Sequence, residues 1–200
     1  MSSFGADVQA VVEKLDLKPV VLVGHSMGGP VIVEAARRMP ERVAALVPVD
    51  ALRDVDEFFT PEQVEHYLTL LRTDFVENTK KFVRENMFTP KSDPALVNKI
   101  ADDMASAPPE IGIGALEGIF HFDPRPALRE IKAPIRCVNS DKYPSKPEAG
   151  KRYNARFEVV VMTGVGHFVM MEDPETFNQL LQDALQSLVP AAQSGPQRTK

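Results

Sequence analysis

The run Gly24-His25-Ser26-Met27-Gly28 sets a serine midway between two glycines, one two residues before it and one two residues after. A serine hydroxyl is a weak nucleophile near neutral pH and becomes useful only beside a base and a donor for an oxyanion. The G-x-S-x-G spacing fits a sharp strand-to-helix turn that lifts the hydroxyl above the end of a sheet. In such a turn Gly24 and Gly28 stand where side chains would collide with neighbouring backbone. The Met27 N–H, at the start of the following helix, would then face a developing oxyanion with the helix dipole behind it.

The base has to come from elsewhere in the chain. Of His25, His66, His121 and His167, the last is the candidate. It follows an apolar run at 157–162 through Thr163-Gly164-Val165-Gly166, a turn able to bring a side chain back over a sheet. His25 adjoins the serine, but neighbours on such a turn point apart, so packing or hydrogen-bonding support is expected of it. His66 and His121 fall among charged helical patterns and are expected to be solvated. An acid should hold the imidazole's tautomer and stabilise its charged form. Asp141, just past the run 135–139, is the preferred acid and fits the order serine, acid, histidine. Asp50, immediately past the run 42–49, stays open as the alternative acid.

These residues need a scaffold, and the hydrophobic pattern outlines one. Val8, Val11, Val12 and Leu15 recur at helical spacing and predict an amphipathic helix over 6–16. Val20-Val21-Leu22-Val23 is a short β-branched run that suits a parallel strand buried on both faces. A helix at 27–38 tolerates Pro30 in its first turn, and 42–49 reads as a second strand. Residues 52–127 change in texture, with prolines and charges among helical patterns at 61–68 and its continuation, at about 75–86 and at about 93–105. Thr60 and Gln63 sit at capping-box positions. Strands return at 135–139 and 157–162, and a final helix at 174–188 starts from Asp173-Pro174.

At this point the residues carry a resemblance. Gly24-His25-Ser26-Met27-Gly28-Gly29 resembles the nucleophile elbow of the α/β-hydrolase superfamily, and Gly166-His167-Phe168 is similar to that family's histidine loop. The resemblance extends over most of 5–188 and is closest to the capped esterases and lactonases, a branch that also includes C–C bond hydrolases and cofactor-free haloperoxidases. It implies an α/β fold, a truncated α/β-hydrolase with a mostly parallel sheet flanked by helices and a helical cap insertion. The core would comprise 1–51 and 128–189, the cap 52–127, and 190–200 a disordered tail. The implied activity is cleavage of small to medium hydrophobic carboxylic esters through an acyl-enzyme, with Ser26, His167 and Asp141 as the catalytic triad. Lactone, C–C bond or perhydrolase chemistry on the same triad is the alternative, as is a non-catalytic fragment. The aromatic and aliphatic residues of the cap, among them Phe59, Tyr67, Phe82, Phe88 and Phe120, would form its core and in part the pocket.

One departure from the family pattern stands out. Only 19 residues precede Val20, so the strands expected before the elbow, and the loop that carries a second oxyanion donor, are not present in the sequence. Strand 20–23 then becomes a sheet edge, which is an association hazard. A second copy is expected to cover it, giving a homodimer or a larger homo-oligomer.

Composition narrows the remaining classes. The chain has 200 residues, 44% hydrophobic and 26% charged, which excludes a disordered, collagen-like or coiled-coil chain. A net charge of −5 without a basic block gives no electrostatic case for nucleic acid or an anionic membrane. The lone Cys137 excludes a disulfide framework and a cysteine-rich zinc site. With no metal-ligand spacing and no dinucleotide fingerprint, neither a metal nor a cofactor is expected, and the partner is a small-molecule ester. The first residues lack a basic n-region followed by an apolar stretch, so a cytoplasmic location is expected.

Overall fold

A computed structural model describes residues 1–188, and the tail expected at 190–200 lies outside the described residues. The elements run α1 (Ser2–Lys14), β1 (Val20–His25), α2 (Gly28–Arg38), β2 (Val43–Val49), α3 (Pro61–Thr73), α4 (Phe75–Asn86), α5 (Pro94–Ala105), α6 (Pro109–Phe120), α7 (Arg125–Glu130), β3 (Ile135–Ser140), α8 (Pro147–Lys151), β4 (Phe157–Met162), α9 (Val169–Glu172) and α10 (Pro174–Leu188). No helix among the described residues is long and apolar enough to cross a membrane.

The four strands form one parallel sheet in the order β1-β2-β3-β4. All carboxyl ends therefore meet along one side of the sheet, where ligands bind in open α/β folds. Alternate strand residues feed two separate cores. Leu22, Leu46, Ile135, Cys137 and Phe157 pack with Ile32, Val33 and Ala36 of α2 and with Ala127 and Leu128 of α7. Val47, Val49, Val138 and Met162 pack with Phe177 and Ala184 of α10 and with Val165 and Val169. The expected cap boundary at 127 thus falls inside α7, a helix that belongs with the layer under the sheet.

β1 departs from the expectation of burial on both faces: Val23 is 46% exposed. It is the outermost strand, so part of one face has no neighbour. α1 shows the same effect. It starts at Ser2, earlier than its apolar periodicity indicates, and buries Val12 while leaving Val11 and Leu15 exposed. Only part of its apolar stripe meets α2, where Gly5 lets the two helices approach closely: a Cβ there would lie 2.8 Å from Glu34 Cγ.

Between β2 and β3, local chemistry sets the helix starts. Thr60 and Gln63 form the reciprocal capping box of α3, and the Asp74 and Asp93 carboxylates accept N–H groups at the starts of α4 and α5. α6 escapes the sequence pattern because Gly112, Gly114 and Gly118 lower helix propensity by about 1 kcal/mol each. Gly112 has a packing reason, since a Cβ there would stand 2.5 Å from the Phe75 ring of α4. Phe59, Tyr67, Phe82 and Phe120 meet edge-on or tilted in this segment and form its aromatic cluster.

Candidate active site

Ser26 occupies the bend between β1 and α2 with φ at 52°, a left-handed conformation that is strained for a residue with a Cβ. The strand pairing reaches right to the bend: His25 lies opposite Val49, and the Ser26 N–H donates to the Val49 carbonyl at 2.9 Å. Gly24 is required on steric grounds, because a Cβ there would meet the Gly28 carbonyl oxygen at 2.3 Å. Gly28 is not so constrained: a Cβ there meets nothing within 4 Å. The crowding after the serine falls on Gly29, whose added Cβ would reach Ala51 Cβ at 2.5 Å. Met27 stands at the N-cap of α2 in helical conformation. The Gly29 N–H donates to the Ser26 carbonyl at 2.9 Å and the Val31 N–H to the Met27 carbonyl at 3.3 Å, which leaves the Met27 N–H, ahead of them at the helix start, as the donor placed to face an anion.

Asp50 turns sharply after β2 with φ at 41° and is 2% exposed. Its Oδ2 accepts from His167 Nδ1 at 2.5 Å. Its Oδ1 accepts from the Ser140 N–H at 2.8 Å and from the Ser140 hydroxyl at 3.0 Å. Burial pushes this carboxyl's pKa up, but the hydrogen bonds from His167 and Ser140 and the nearby Arg53 charge outweigh it and hold the value below the usual 3.8. The following residue is fixed as well, with the Ala51 N–H donating to buried Asn139 Oδ1 at 3.2 Å.

Asp141 does not reach the imidazole. Its N–H continues the β3–β4 pairing by donating to the Met162 carbonyl at 2.9 Å, and its exposed carboxylate accepts from the Gly164 N–H at 2.9 Å. Asp141 therefore braces the turn at Gly164, a residue with φ at 79°. The acid that contacts His167 is Asp50, since β2 neighbours β1 and ends on the serine's side. Ser140 and Asn139 were missed as site residues. Two polar side chains at the end of a buried strand are the signal in the sequence for them.

His167 is held on three sides. Its N–H donates to the Met87 carbonyl at 2.6 Å, its carbonyl accepts from His25 Nε2 at 2.8 Å, and its Nδ1 meets Asp50. With Nδ1 committed to the carboxylate, Nε2 is the free acceptor on the ring's far side. The Ser26 hydroxyl is not among the hydrogen-bond partners of His167 in this conformation. Catalytic contacts of this kind commonly close only around substrate. The His25 and His167 rings lie 4.6 Å apart, which ties the residue beside Ser26 directly to the candidate base. Burial, then the neighbouring His167, lower the His25 pKa to about 4, against weaker opposing effects of the His167 carbonyl and Asp50. His25 is thus neutral near pH 7 beside the His167 imidazole.

Phe168 links this cluster to the helical segment between β2 and β3. It stacks on Phe88 at 5.5 Å and tilts against His25 at 5.1 Å. His121 is exposed and pairs with its own helix at Glu117, and His66 is also exposed. Two surface cavities, one around Asp54, Asp56 and Arg152 and one around Lys91 and Glu172, are lined by none of Ser26, Asp50 and His167. Asp54 is paired with Lys146, and Asp56 with Arg152 and Tyr153, so the acids of the first cavity are largely neutralised.

A strained serine at a strand end and a buried carboxylate on an imidazole are the parts of a proton-relay nucleophile. Comparison with known proteins places the chain in a family. A profile of the Alpha/beta hydrolase family matches residues 2–180. A pimeloyl-[acyl-carrier protein] methyl ester esterase of Neisseria meningitidis is 26% identical over 196 residues, which cover 92% of this chain and 62% of that protein. A 2-hydroxy-6-oxononadienedioate/2-hydroxy-6-oxononatrienedioate hydrolase of Escherichia coli is 30% identical over 189 residues, 87% of this chain and 65% of that one. The chain therefore spans less than two thirds of the length of either relative. Among solved structures, an esterase from Exiguobacterium antarcticum matches with a TM-score of 0.79 at 20% identity, over 91% of this chain and 72% of that one, a likeness of fold. With the profile running from the first helix into the last, the chain belongs to the Alpha/beta hydrolase family.

Proposed function

We propose that this chain is a serine hydrolase acting on carboxylic esters, with Ser26 as nucleophile, His167 as general base and acid, and Asp50 as the orienting carboxylate. The observation that carries the reading is the 2.5 Å contact between Asp50 Oδ2 and His167 Nδ1 on the same side of the sheet as the strained Ser26. Asp50 fixes the tautomer with hydrogen on Nδ1, so Nε2 can take the Ser26 proton as the oxygen attacks the ester carbonyl. The imidazolium that forms is stabilised by the buried carboxylate. The Met27 N–H supports the tetrahedral oxyanion, and a donor of this type is worth about 10²–10³ in turnover. His167 then returns the proton to the leaving alcohol, and the acyl group on Ser26 is hydrolysed by water activated through the same Nε2.

The aromatic cap and the Phe88–Phe168 stack favour a small to medium hydrophobic ester. Lactones present the same carbonyl chemistry, and an enol-lactonase from Burkholderia xenovorans is among the structural neighbours. Hydrolysis of short-chain p-nitrophenyl esters by wild type and Ser26→Ala tests the reading. Equal rates for the two proteins would make the chain a non-catalytic fragment of its family.

We further propose that a second copy covers the outer edge of β1. An open strand edge is complementary to its own copy across a two-fold axis, and Val23 of this strand is 46% exposed. A cytoplasmic location belongs to the same proposal and suits a single buried free thiol, Cys137.

A further inference from the structure

The catalytic reading assigns no role to Glu172, yet its carboxylate joins two parts of the chain that are far apart in sequence. Its Oε1 accepts from the Gly166 N–H at 2.9 Å, one residue before the candidate base. Its Oε2 accepts from the Ser92 hydroxyl at 2.6 Å, in the loop between α4 and α5. That loop bears on the histidine segment at further points. Met87 O receives the His167 N–H, and a Cβ on Gly166 would lie 2.4 Å from the same oxygen. The loop is also held by the segment after β3, where Lys142 Nζ donates to Phe88 O at 2.8 Å and the Tyr143 hydroxyl to the carbonyl of Asn86, the last residue of α4, at 3.2 Å. Inside the loop, the Thr89 N–H donates to Ser92 Oγ at 3.0 Å, so the hydroxyl that meets Glu172 is itself held in place.

We propose that Glu172 is a positioning residue that locks the His167 loop to the cap loop 87–92, so that the cap's placement sets where the base stands. The proposal rests on the reading of His167 as the base. Its chemistry is directional. The Gly166 N–H fixes the peptide that carries His167, the Met87 carbonyl fixes the next N–H, and Glu172 ties both to Ser92. Without the carboxylate, Gly166 keeps its freedom to rotate and the imidazole loses register with Asp50 and Ser26. Misplacement of a catalytic group by about an ångström costs on the order of 10²-fold in rate.

Two measurements on the full chain test this, one of them independent of turnover. In proton NMR the wild type should show a protected downfield imidazole Nδ1–H resonance from the Asp50–His167 pair, which Asp50→Asn abolishes. Glu172→Ala should broaden or lose that resonance, Ser92→Ala should weaken its protection, and Glu172→Gln, which keeps a carbonyl acceptor, should largely restore it. In ester hydrolysis, Glu172→Ala should lower kcat at least about tenfold with KM within about twofold, and Glu172→Gln should stay within about threefold of wild type. A Glu172→Ala protein that keeps both the resonance and kcat overturns the proposal. Loss in Glu172→Ala with Ser92→Ala unchanged overturns the coupling to the cap. Should Glu172→Ala not fold, Ser92→Ala and Glu172→Gln decide by the same readouts. Absence of the resonance in folded wild type would instead count against the Asp50–His167 pairing and remove the proposal with it.

Discussion

Replacing Asp50 with asparagine separates the two candidate acids while barely changing shape. An asparagine can keep its carbonyl oxygen toward Ser140, whose N–H and hydroxyl both donate there. Its amide nitrogen then faces His167 Nδ1, where Asp50 Oδ2 accepts at 2.5 Å. Two donors cannot share that contact, so Nδ1 loses its hydrogen and the imidazole carries it on Nε2. The ring can then no longer accept the serine proton. The corresponding exchange in a serine-protease triad lowers kcat about 10⁴-fold, roughly 5.4 kcal/mol of barrier. The same order is expected for Asp50→Asn in initial-rate assays on a p-nitrophenyl ester, with the folded state checked by circular dichroism. Asp141→Asn should stay within about threefold, because the exposed Asp141 carboxylate accepts from the Gly164 N–H and an asparagine carbonyl can do the same. A mild Asp50→Asn effect together with a collapse in Asp141→Asn would refute the reasoning.

Three other outcomes follow from the structure. Gly24→Ala should cost more than about 3 kcal/mol in chemical denaturation, whereas Gly28→Ala should be neutral or stabilise by up to about 1 kcal/mol; the reverse order would contradict the packing described at the bend. His25 has a pKa lowered from 6.5 to about 4, so as pH falls from 6.5 toward 4 the unfolded chain takes up a proton that the folded chain refuses. Stability should therefore drop by about 2 kcal/mol between about pH 7 and about pH 5, and His25→Asn should flatten that dependence; an equally steep profile in the variant would assign it to other groups. Sedimentation velocity at micromolar concentration should show a dimer, and a clean monomer would remove the proposed pairing at the edge of β1.

Much of this site was legible before any coordinates. The serine bend, the late histidine, the capping box at Thr60 and the limits of β4 and α10 all follow from local chemistry, which one sequence carries in full. What escaped depends on neighbours in space. Asp50 and Asp141 both sit one residue past a buried parallel strand, and periodicity alone does not say which strand lies beside β1. The β1-β2 pairing decides it by placing Asp50 next to the serine bend. The same holds for glycine: Gly28 and Gly29 look alike in sequence, but only Gly29 faces Ala51. α6 was hidden because its glycines argue against a helix until Phe75 is seen lying across Gly112.

Mass mapping after treatment with a fluorophosphonate tests the central claim most directly. One adduct is predicted, on the peptide bearing Ser26, absent in Ser26→Ala and formed orders of magnitude more slowly in Asp50→Asn. Labelling at a different residue, or none on a folded chain that turns over esters, would contradict a Ser26 nucleophile driven by His167 and Asp50.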